Sequence, residues 1–237
     1  MASVLRALAL ITGLVTIALA GDGAERGSAN YSSCQRKTDD PLHGCPDGTL
    51  YVSRTDHRAN YLSIQSAIAA LSNDTSPRFI LIGSGVYTEQ LNVTRSGPLT
   101  LLGQSDNPSK GLSYSDVAYN TTTANDVQVY HNAANSNSRY PDNVHTGVIT
   151  IGPTLNATQT GAGPTGWGVP PNTPFGCSDF RVYNIDFRNE LFPHSAGPAH
   201  AVGVGYSNAG FYSCGFYSYQ DTVRLRTPAA LVEVPRF

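Results

Sequence analysis

The sequence predicts an all-β fold, a right-handed parallel β-helix with a short N-terminal helix, from three observations. The 237 residues are 40% hydrophobic and only 14% charged, which suits buried strands joined by polar turns. Short apolar runs recur between turn residues, and those beginning at Ala201 and Thr222 start 21 residues apart. No Asn-Gly or Asp-Gly hairpin pair separates these runs, which favours stacked parallel coils over the alternative, a β-sandwich.

The elements follow from the periodicity of the apolar side chains. Residues 61–71 repeat them at three- and four-residue intervals, which predicts the short helix. Polar, turn-rich residues at 104–146 and 152–178 predict long excursions between strands. Strand-like runs occupy residues 79–82, 86–93, 99–102, 148–151, 180–187, 201–206, 211–217 and 222–225.

The N-terminus predicts a secretory signal peptide over residues 1–20. Arg6 precedes an uncharged run at 7–20, and Ala18 and Ala20 form a small-residue cleavage site before Gly21. The alternative is an uncleaved anchor, although this run is shorter than the ~20 residues that span a bilayer. We therefore expect a secreted protein with no membrane segment after cleavage, a polar lead-in at 21–50 and a partial β-helix domain at 51–237.

Modification sites and cysteines fit an oxidising, extracellular compartment. Cys34 and Cys45 are the favoured disulfide pair, although the other pairings stay open, and Cys177 and Cys214 are small buried residues in this interpretation. No CxxC or histidine cluster indicates a metal, and a formal charge of -2 without a basic patch argues against nucleic acid. Five N-x-S/T sequons begin at Asn30, Asn73, Asn92, Asn120 and Asn156.

Three motifs in a fixed order point to a family. Residues 85–89 read G-V-Y-T-E, residues 184–189 read N-I-D-F-R-N, and residues 199–222 end in Y-Q-D-T. Together they resemble the G-x-Y-x-E, N-x-x-F-x-N and Q-D-T segments of the pectin methylesterase (pectinesterase) family. The resemblance covers about residues 60–222 and is poor over 104–178.

This resemblance implies a β-helix enzyme that hydrolyses the methyl esters of galacturonate in pectin, without a cofactor. One aspartate attacks the ester, and a second protonates the departing methanol and then activates water. Asp221 corresponds to the second aspartate and Gln220 to a glutamine that holds the oxyanion. Two neighbouring carboxyl groups with separated pKa values suit such acid–base work, and amide donors stabilise the oxyanion. The alternative for Asp221 is a turn carboxylate.

Three residues are candidates for substrate binding. His200 stands where the family has the glutamine of a Q-A-V segment, and its alternative role is that of a partly buried histidine. Tyr87 belongs to the G-x-Y-x-E motif and either contacts substrate or packs in the coil. Trp167, the only tryptophan, either stacks on a sugar ring or anchors its loop.

The sequence departs from the family after Thr222. The remaining V-R-L-R-T-P-A-A-L-V-E-V-P-R-F lacks the D-F-x-x-G segment of the nucleophile, and Arg224, Arg226 and Arg236 lack the context of the family's arginine. We therefore expect little turnover from the chain as written, and poor stability from an uncovered last coil.

Two other functions remain as alternatives. A non-catalytic galacturonan-binding protein would use the same groove without chemistry. A different pectin-acting β-helix enzyme would need calcium-binding carboxylates for a lyase or clustered aspartates for a polygalacturonase, and neither cluster is visible.

Overall fold

The computed structural model describes residues 31–108, 124–136, 139–160, 172–191, 197–226 and 230–232, with only the backbone described at 226 and 230–232. They belong to one compact unit, Tyr31–Phe237, so the domain boundary predicted at residue 51 falls inside it. The signal peptide predicted at 1–20, the sequons at Asn30 and Asn120, and Trp167 lie outside the described residues.

Two short α-helices and fourteen strands make up the described regular structure, together with 3₁₀ turns at Asn143–Thr146 and Leu155–Thr158. The elements are α1 (Ser32–Gln35), β1 (Leu50–Val52), α2 (Ile64–Ala70), β2 (Arg78–Ile82), β3 (Gly85–Thr88), β4 (Leu91–Val93), β5 (Leu99–Gly103), β6 (Val127–Tyr130), β7 (Ile149–Ile151), β8 (Phe180–Tyr183), β9 (Ile185–Asn189), β10 (Val202–Gly205), β11 (Asn208–Tyr212), β12 (Gly215–Ser218), β13 (Val223–Arg226) and β14 (Ala230–Val232).

The strands form three parallel sheets that the chain visits in rotation. Sheet I has the order β1-β2-β5-β8-β11-β14, sheet II the order β4-β7-β10-β13, and sheet III the order β3-β6-β9-β12. From β2 onward the chain passes from sheet I to sheet III to sheet II and back to sheet I, so each circuit is one coil. All the pairings between these strands are parallel, which confirms the predicted parallel β-helix and excludes the sandwich.

The core consists of columns of apolar side chains that stack from coil to coil. In sheet III, register aligns four buried residues, Tyr87, Val129, Phe187 and Phe216. In sheet I, a second buried column comprises Ile80, Leu101, Val182 and Phe211. Each side chain in a column shields apolar surface of its neighbours from water, so the hydrophobic effect stabilises adjacent coils together.

Single left-handed residues turn the chain from sheet I into sheet III. Asn184 lies between β8 and β9 with φ 55°, and Ser213 lies between β11 and β12 with φ 53°. Asparagine adopts this conformation at little cost, whereas serine does so less readily. The corner is therefore set by backbone geometry that apolar periodicity does not reveal.

The residues before β1 cover the outer face of sheet I. Cys34 and Cys45 form the favoured disulfide. Tyr31 packs edge-on against Tyr183, whose ring stacks on Tyr212 with centroids 4.5 Å apart. Residues 31–50 are therefore part of the folded body, unlike the exposed lead-in that their polar sequence predicts.

The predicted helix appears as α2, one end of which is capped twice. Ser63 accepts a hydrogen bond from the backbone N–H of Ser66, and the Glu89 carboxylate accepts from the N–H groups of Ile64 and Gln65 at 2.9 and 2.8 Å. These acceptors satisfy N–H groups that have no partner inside a helix. The glutamate of the G-x-Y-x-E motif thus fastens α2 to the first coil.

Candidate active site

The candidate site lies at the corner where two successive coils pass from sheet III to sheet II. Register pairs Val202 with Val223. His200 lies two positions before Val202, and Asp221 lies two positions before Val223. The N–H groups of Ala201 and Val202 both donate to the carbonyl of Thr222, at 3.0 and 3.1 Å. The 21-residue coil therefore brings a histidine and an aspartate that are distant in sequence onto adjacent levels.

Backbone contacts hold the two segments of this corner together. Ala199 donates from its N–H to the carbonyl of Gln220 at 3.2 Å, and the Ser218 hydroxyl donates to the Ala199 carbonyl. Asp221 has φ 57°, the left-handed conformation that aspartate tolerates better than most residues. This turn directs the chain into β13 and leaves the Asp221 side chain 53% exposed.

His200 sits behind Asp221 and is fixed through its backbone. The His200 N–H donates to Thr146 Oγ1 at 3.0 Å, and the His200 carbonyl accepts from Asn189 Nδ2 at 3.1 Å. Its side chain is 3% exposed, and Nε2 lies 3.9 Å from Oδ2 of Asp221. The pair therefore combines a buried imidazole with a carboxylate that is accessible to solvent.

The surroundings favour a neutral imidazole at His200. Burial, the largest effect, lowers the pKa of His200, and Arg224 lowers it further. The negative charges of Asp221 and Asp142 act in the opposite direction and raise this pKa. A neutral imidazole has one N–H donor and one acceptor nitrogen, so it is able to take up a proton as well as donate a hydrogen bond.

A small cavity of about 220 Å³ adjoins the same corner. Its lining residues are Glu190, Phe216, Tyr217, Ser218 and Tyr219, of which Tyr219 is 57% exposed. Exposed aromatic rings beside polar groups suit the mixed polar and apolar faces of a sugar.

Arg188 organises one wall of this cavity. Its guanidinium contacts Glu190 Oε1 at 2.7 Å and lies 3.8 Å from the centroid of the Tyr217 ring. It also lies 3.4 Å from Asp186 Oδ2. The positive charge of Arg188 therefore lies directly against the negative charge of Glu190, which lines the cavity.

The structure brings some of the sequence-predicted residues together and separates others. Gln220 is exposed beside Asp221, with His200 on the preceding coil. Tyr87 is 1% exposed in the core column of sheet III, and its hydroxyl donates to the Gly83 carbonyl at 2.8 Å. It lies three strands from β12, roughly 14 Å at the usual strand spacing. This position gives Tyr87 a packing role and no geometric support as a substrate contact at Asp221.

Sequence reasoning missed three residues that shape the corner. Asn189 was recognised only as part of the N-x-x-F-x-N motif, yet it is fully buried and binds the backbone on three segments. Arg188 stands at a variable position of that motif and Glu190 follows it, so neither residue carries a signal of its own. Tyr217, on which Arg188 stacks, comes from the next coil, so only the register of the strands shows this contact.

The described part of the chain contains no cluster of three His, Cys, Asp or Glu side chains with metal-binding geometry. Within these residues there is also no helix with the length and apolar character needed to cross a bilayer.

Comparisons with known proteins agree on one family of enzymes. The chain is 28% identical over 178 residues to the probable pectinesterase A of Neosartorya fischeri, which covers 75% of this chain and 42% of that protein. It is also 28% identical over 181 residues to pectinesterase A of Emericella nidulans, covering 76% of this chain and 43% of that protein. This chain resembles the fungal pectinesterases.

The folds agree as well. The pectin methylesterase of Aspergillus niger superimposes with a TM-score of 0.52 at 25% identity, over 78% of this chain and 50% of that one. A pectin methylesterase in complex with a hexasaccharide superimposes with a TM-score of 0.50 at 20% identity, which shows the fold alone. The pectinesterase-like chain spans less than half the length of the curated relatives it matches. No protein-family model matches it.

Proposed function

We propose that this chain carries the acid–base half of a pectinesterase site and acts in hydrolysis of galacturonan methyl esters. The observation that carries the proposal is the placement of Asp221. Its carboxylate is half exposed, next to a buried histidine and an aromatic cavity, in a chain that resembles fungal pectinesterases in sequence and fold.

Each residue of the corner has a role in this proposal. Asp221 is the acid and base of this site, which deprotonates the hydrolytic water and protonates the departing methoxide. The Gln220 side-chain amide donates to the oxyanion that forms on the ester carbonyl. His200 belongs to the same corner and contributes to substrate binding there.

The cavity supplies a place for a sugar unit. Tyr217 and Tyr219 offer rings on which the C–H face of a galacturonate packs. The Arg188–Glu190 pair compensates its own charge, so a neutral methyl ester avoids the desolvation cost that a free carboxylate would meet there. Trp167, outside the described residues, remains a candidate for a further stacking contact.

Location and modification form a second part of the proposal. The signal sequence at 1–20 indicates secretion, and in a secreted protein the exposed residues Asn73 and Asn156 are the described sequons best placed to carry glycans. Secretion of the full chain from a fungal host, followed by mass spectrometry after glycosidase treatment, tests both points.

Methanol release from highly methylated pectin tests the proposed activity. The full chain, its Asp221→Asn variant and an Asp179→Asn control are compared at equal concentration. Asp179 pairs with Arg181 beside sheet I and is 45% exposed on its side chain, so the control removes a carboxylate of similar exposure. We expect any release by the parent to be slow and matched by the control, and to fall at least about 100-fold in Asp221→Asn.

Two other outcomes are informative. Release that survives in Asp221→Asn contradicts the proposed role of this carboxylate. No release from any form, combined with binding of methylated galacturonan, favours the non-catalytic galacturonan-binding alternative.

A further inference from the structure

The residue at position 200 differs chemically from the glutamine that the pectinesterase motif has there. A glutamine amide donates and accepts hydrogen bonds but does not exchange protons near neutral pH, whereas imidazole does. In this chain the imidazole faces a carboxylate, with Nε2 of His200 3.9 Å from Oδ2 of Asp221.

We propose that His200 is a positioning residue that acts through Asp221, so that the two side chains share one proton during ester hydrolysis. This inference rests on the proposed function of the same corner. It assigns the proton that leaves with methanol to the pair rather than to Asp221 alone.

The chemical reason lies in the proton affinity of a carboxylate. An isolated aspartic acid is almost fully ionised near neutral pH, so it has no proton ready for a departing methoxide. A neutral histidine behind the carboxylate takes up the proton that Asp221 removes from an attacking water, and the carboxylate stabilises the imidazolium that forms. The water oxygen bonds to the ester carbonyl carbon, the carbonyl oxygen takes the negative charge, and one proton of the water passes through Asp221 to His200 Nε2.

The second half of the reaction restores the pair. The tetrahedral intermediate collapses, the bond between the acyl carbon and the methoxide oxygen breaks, and the proton returns from His200 through Asp221 to that oxygen. The sum is ester plus water giving carboxylic acid plus methanol, and no proton is lost from the pair. A neutral imidazole is needed to accept the proton of the water, and the burial of His200 favours that form.

The geometry permits the transfer with movement on one side only. A separation of 3.9 Å exceeds a hydrogen bond, so one group has to approach the other. His200 is held by Thr146 and Asn189 through its backbone, whereas Asp221 is half exposed on a turn. Rotation of the Asp221 side chain is the movement that closes the gap.

Two other charged groups face His200 and limit its charge. Arg224 on β13 opposes protonation, and the buried Asp142 favours it. These opposite influences leave Asp221 as the exposed group whose charge a substrate is able to change on binding. The His200–Asp221 pair is therefore the part of this cluster whose protonation changes when a substrate binds at the corner.

Titration of the histidine ring signals by NMR tests the pair without requiring turnover. The chain has six histidines, and His200→Gln identifies the signal of His200. The titration midpoint of His200 is expected to fall by about one pH unit in Asp221→Asn, because the carboxylate no longer stabilises the imidazolium. In the Asp179→Asn control it should stay where it is in the parent. An unchanged midpoint in Asp221→Asn overturns the proposal.

The pH profile of methanol release supplies the second arm. In His200→Gln, which keeps a side chain of hydrogen-bonding character, the acidic limb is expected to move to lower pH by about one unit or more, because the imidazole whose protonation limits activity is gone. An active His200→Gln variant with the parent's profile also overturns the proposal. A shifted midpoint with no methanol release leaves the pair standing and contradicts the proposed esterase function. Methanol release that is lost in Asp221→Asn, together with an unchanged titration midpoint of His200, supports the esterase function and overturns the proposed pair.

Discussion

The guanidinium of Arg188 lies over the ring of Tyr217, 3.8 Å from its centroid, and links two consecutive coils on the outer face of sheet III. The same guanidinium holds Glu190 at 2.7 Å and reaches Tyr130 on the preceding coil, 5.6 Å from that ring's centroid. One side chain thus connects three coils and holds two residues that line the cavity, Glu190 and Tyr217. Packing of the last described coils and shape of the candidate site depend on the same contacts.

Replacing Arg188 by lysine tests this link. Lysine keeps the positive charge but loses the planar fork and the stacking on Tyr217, so we expect the free energy of unfolding to fall by about 1 kcal/mol. Urea denaturation gives the value. Arg181→Lys is the matched control, since Arg181 has a similar side-chain exposure, 18% against 17%, and pairs with Asp179. Equal losses in the two variants would show that stacking adds nothing.

Asn189 should be the most sensitive polar residue of the corner. Its Nδ2 donates to the carbonyls of Ala133, Thr146 and His200, and its Oδ1 accepts from the Ala133 N–H. Asn189→Ala leaves buried backbone groups without these partners, which costs roughly 2–4 kcal/mol. Asn208→Ala removes one exposed contact with the Ser178 carbonyl and should cost less than about 1 kcal/mol. Urea denaturation compares the stability losses of the two variants, and a smaller loss in Asn189→Ala than in Asn208→Ala contradicts the prediction.

Glu89 is expected to act on stability rather than on substrate. Glu89→Ala removes the acceptor of two helix N–H groups and should lower the free energy of unfolding by about 1–2 kcal/mol. Glu89→Gln keeps one acceptor oxygen and should lose less. If either variant lost affinity for methylated galacturonan while its unfolding curve stayed unchanged, the motif glutamate would be a ligand contact instead.

Stability should fall in mild acid, partly because of His131. Burial lowers the pKa of this imidazole, so the folded protein binds fewer protons there than the unfolded chain. Its contribution is therefore present above the ordinary value near 6.5 and is lost as pH falls through the lowered folded pKa. His131→Gln should reduce the stability lost between pH 7 and pH 5, by less than about 1 kcal/mol. His57→Gln, at a side chain 95% exposed, is the control, and equal effects in the two variants would contradict the assignment.

Much of the fold could be predicted from the sequence because coil spacing and turn chemistry are local signals. The runs beginning at Ala201 and Thr222 are offset by one coil and pair as β10 and β13. The covering of sheet I by residues 31–50 was not predictable from polarity. It depends on isolated anchors, such as Gln35 donating to the Gly103 carbonyl and to Asn184 Oδ1, which have no periodic pattern.

The candidate site was predictable only in part, for the same reason. Motif resemblance drew attention to Asp221, Gln220 and His200, and register places His200 beside Asp221. The same resemblance drew attention to Tyr87, whose side chain lies in a core column. Gly83 and Gly85 mark a turn before β3, but whether Tyr87 then faces inward depends on the conformation of that corner, which the residue types do not specify.

The most direct test of the central claim is the response of the His200 ring signals to methylated oligogalacturonate, measured by NMR on the full chain. The proposed site predicts that these signals shift in a saturable manner, while those of His57 stay unchanged. This outcome locates the ligand at the corner of His200 and Asp221, whether or not methanol is released. Binding that leaves the His200 signals unmoved would contradict the claim that this corner receives the methyl ester.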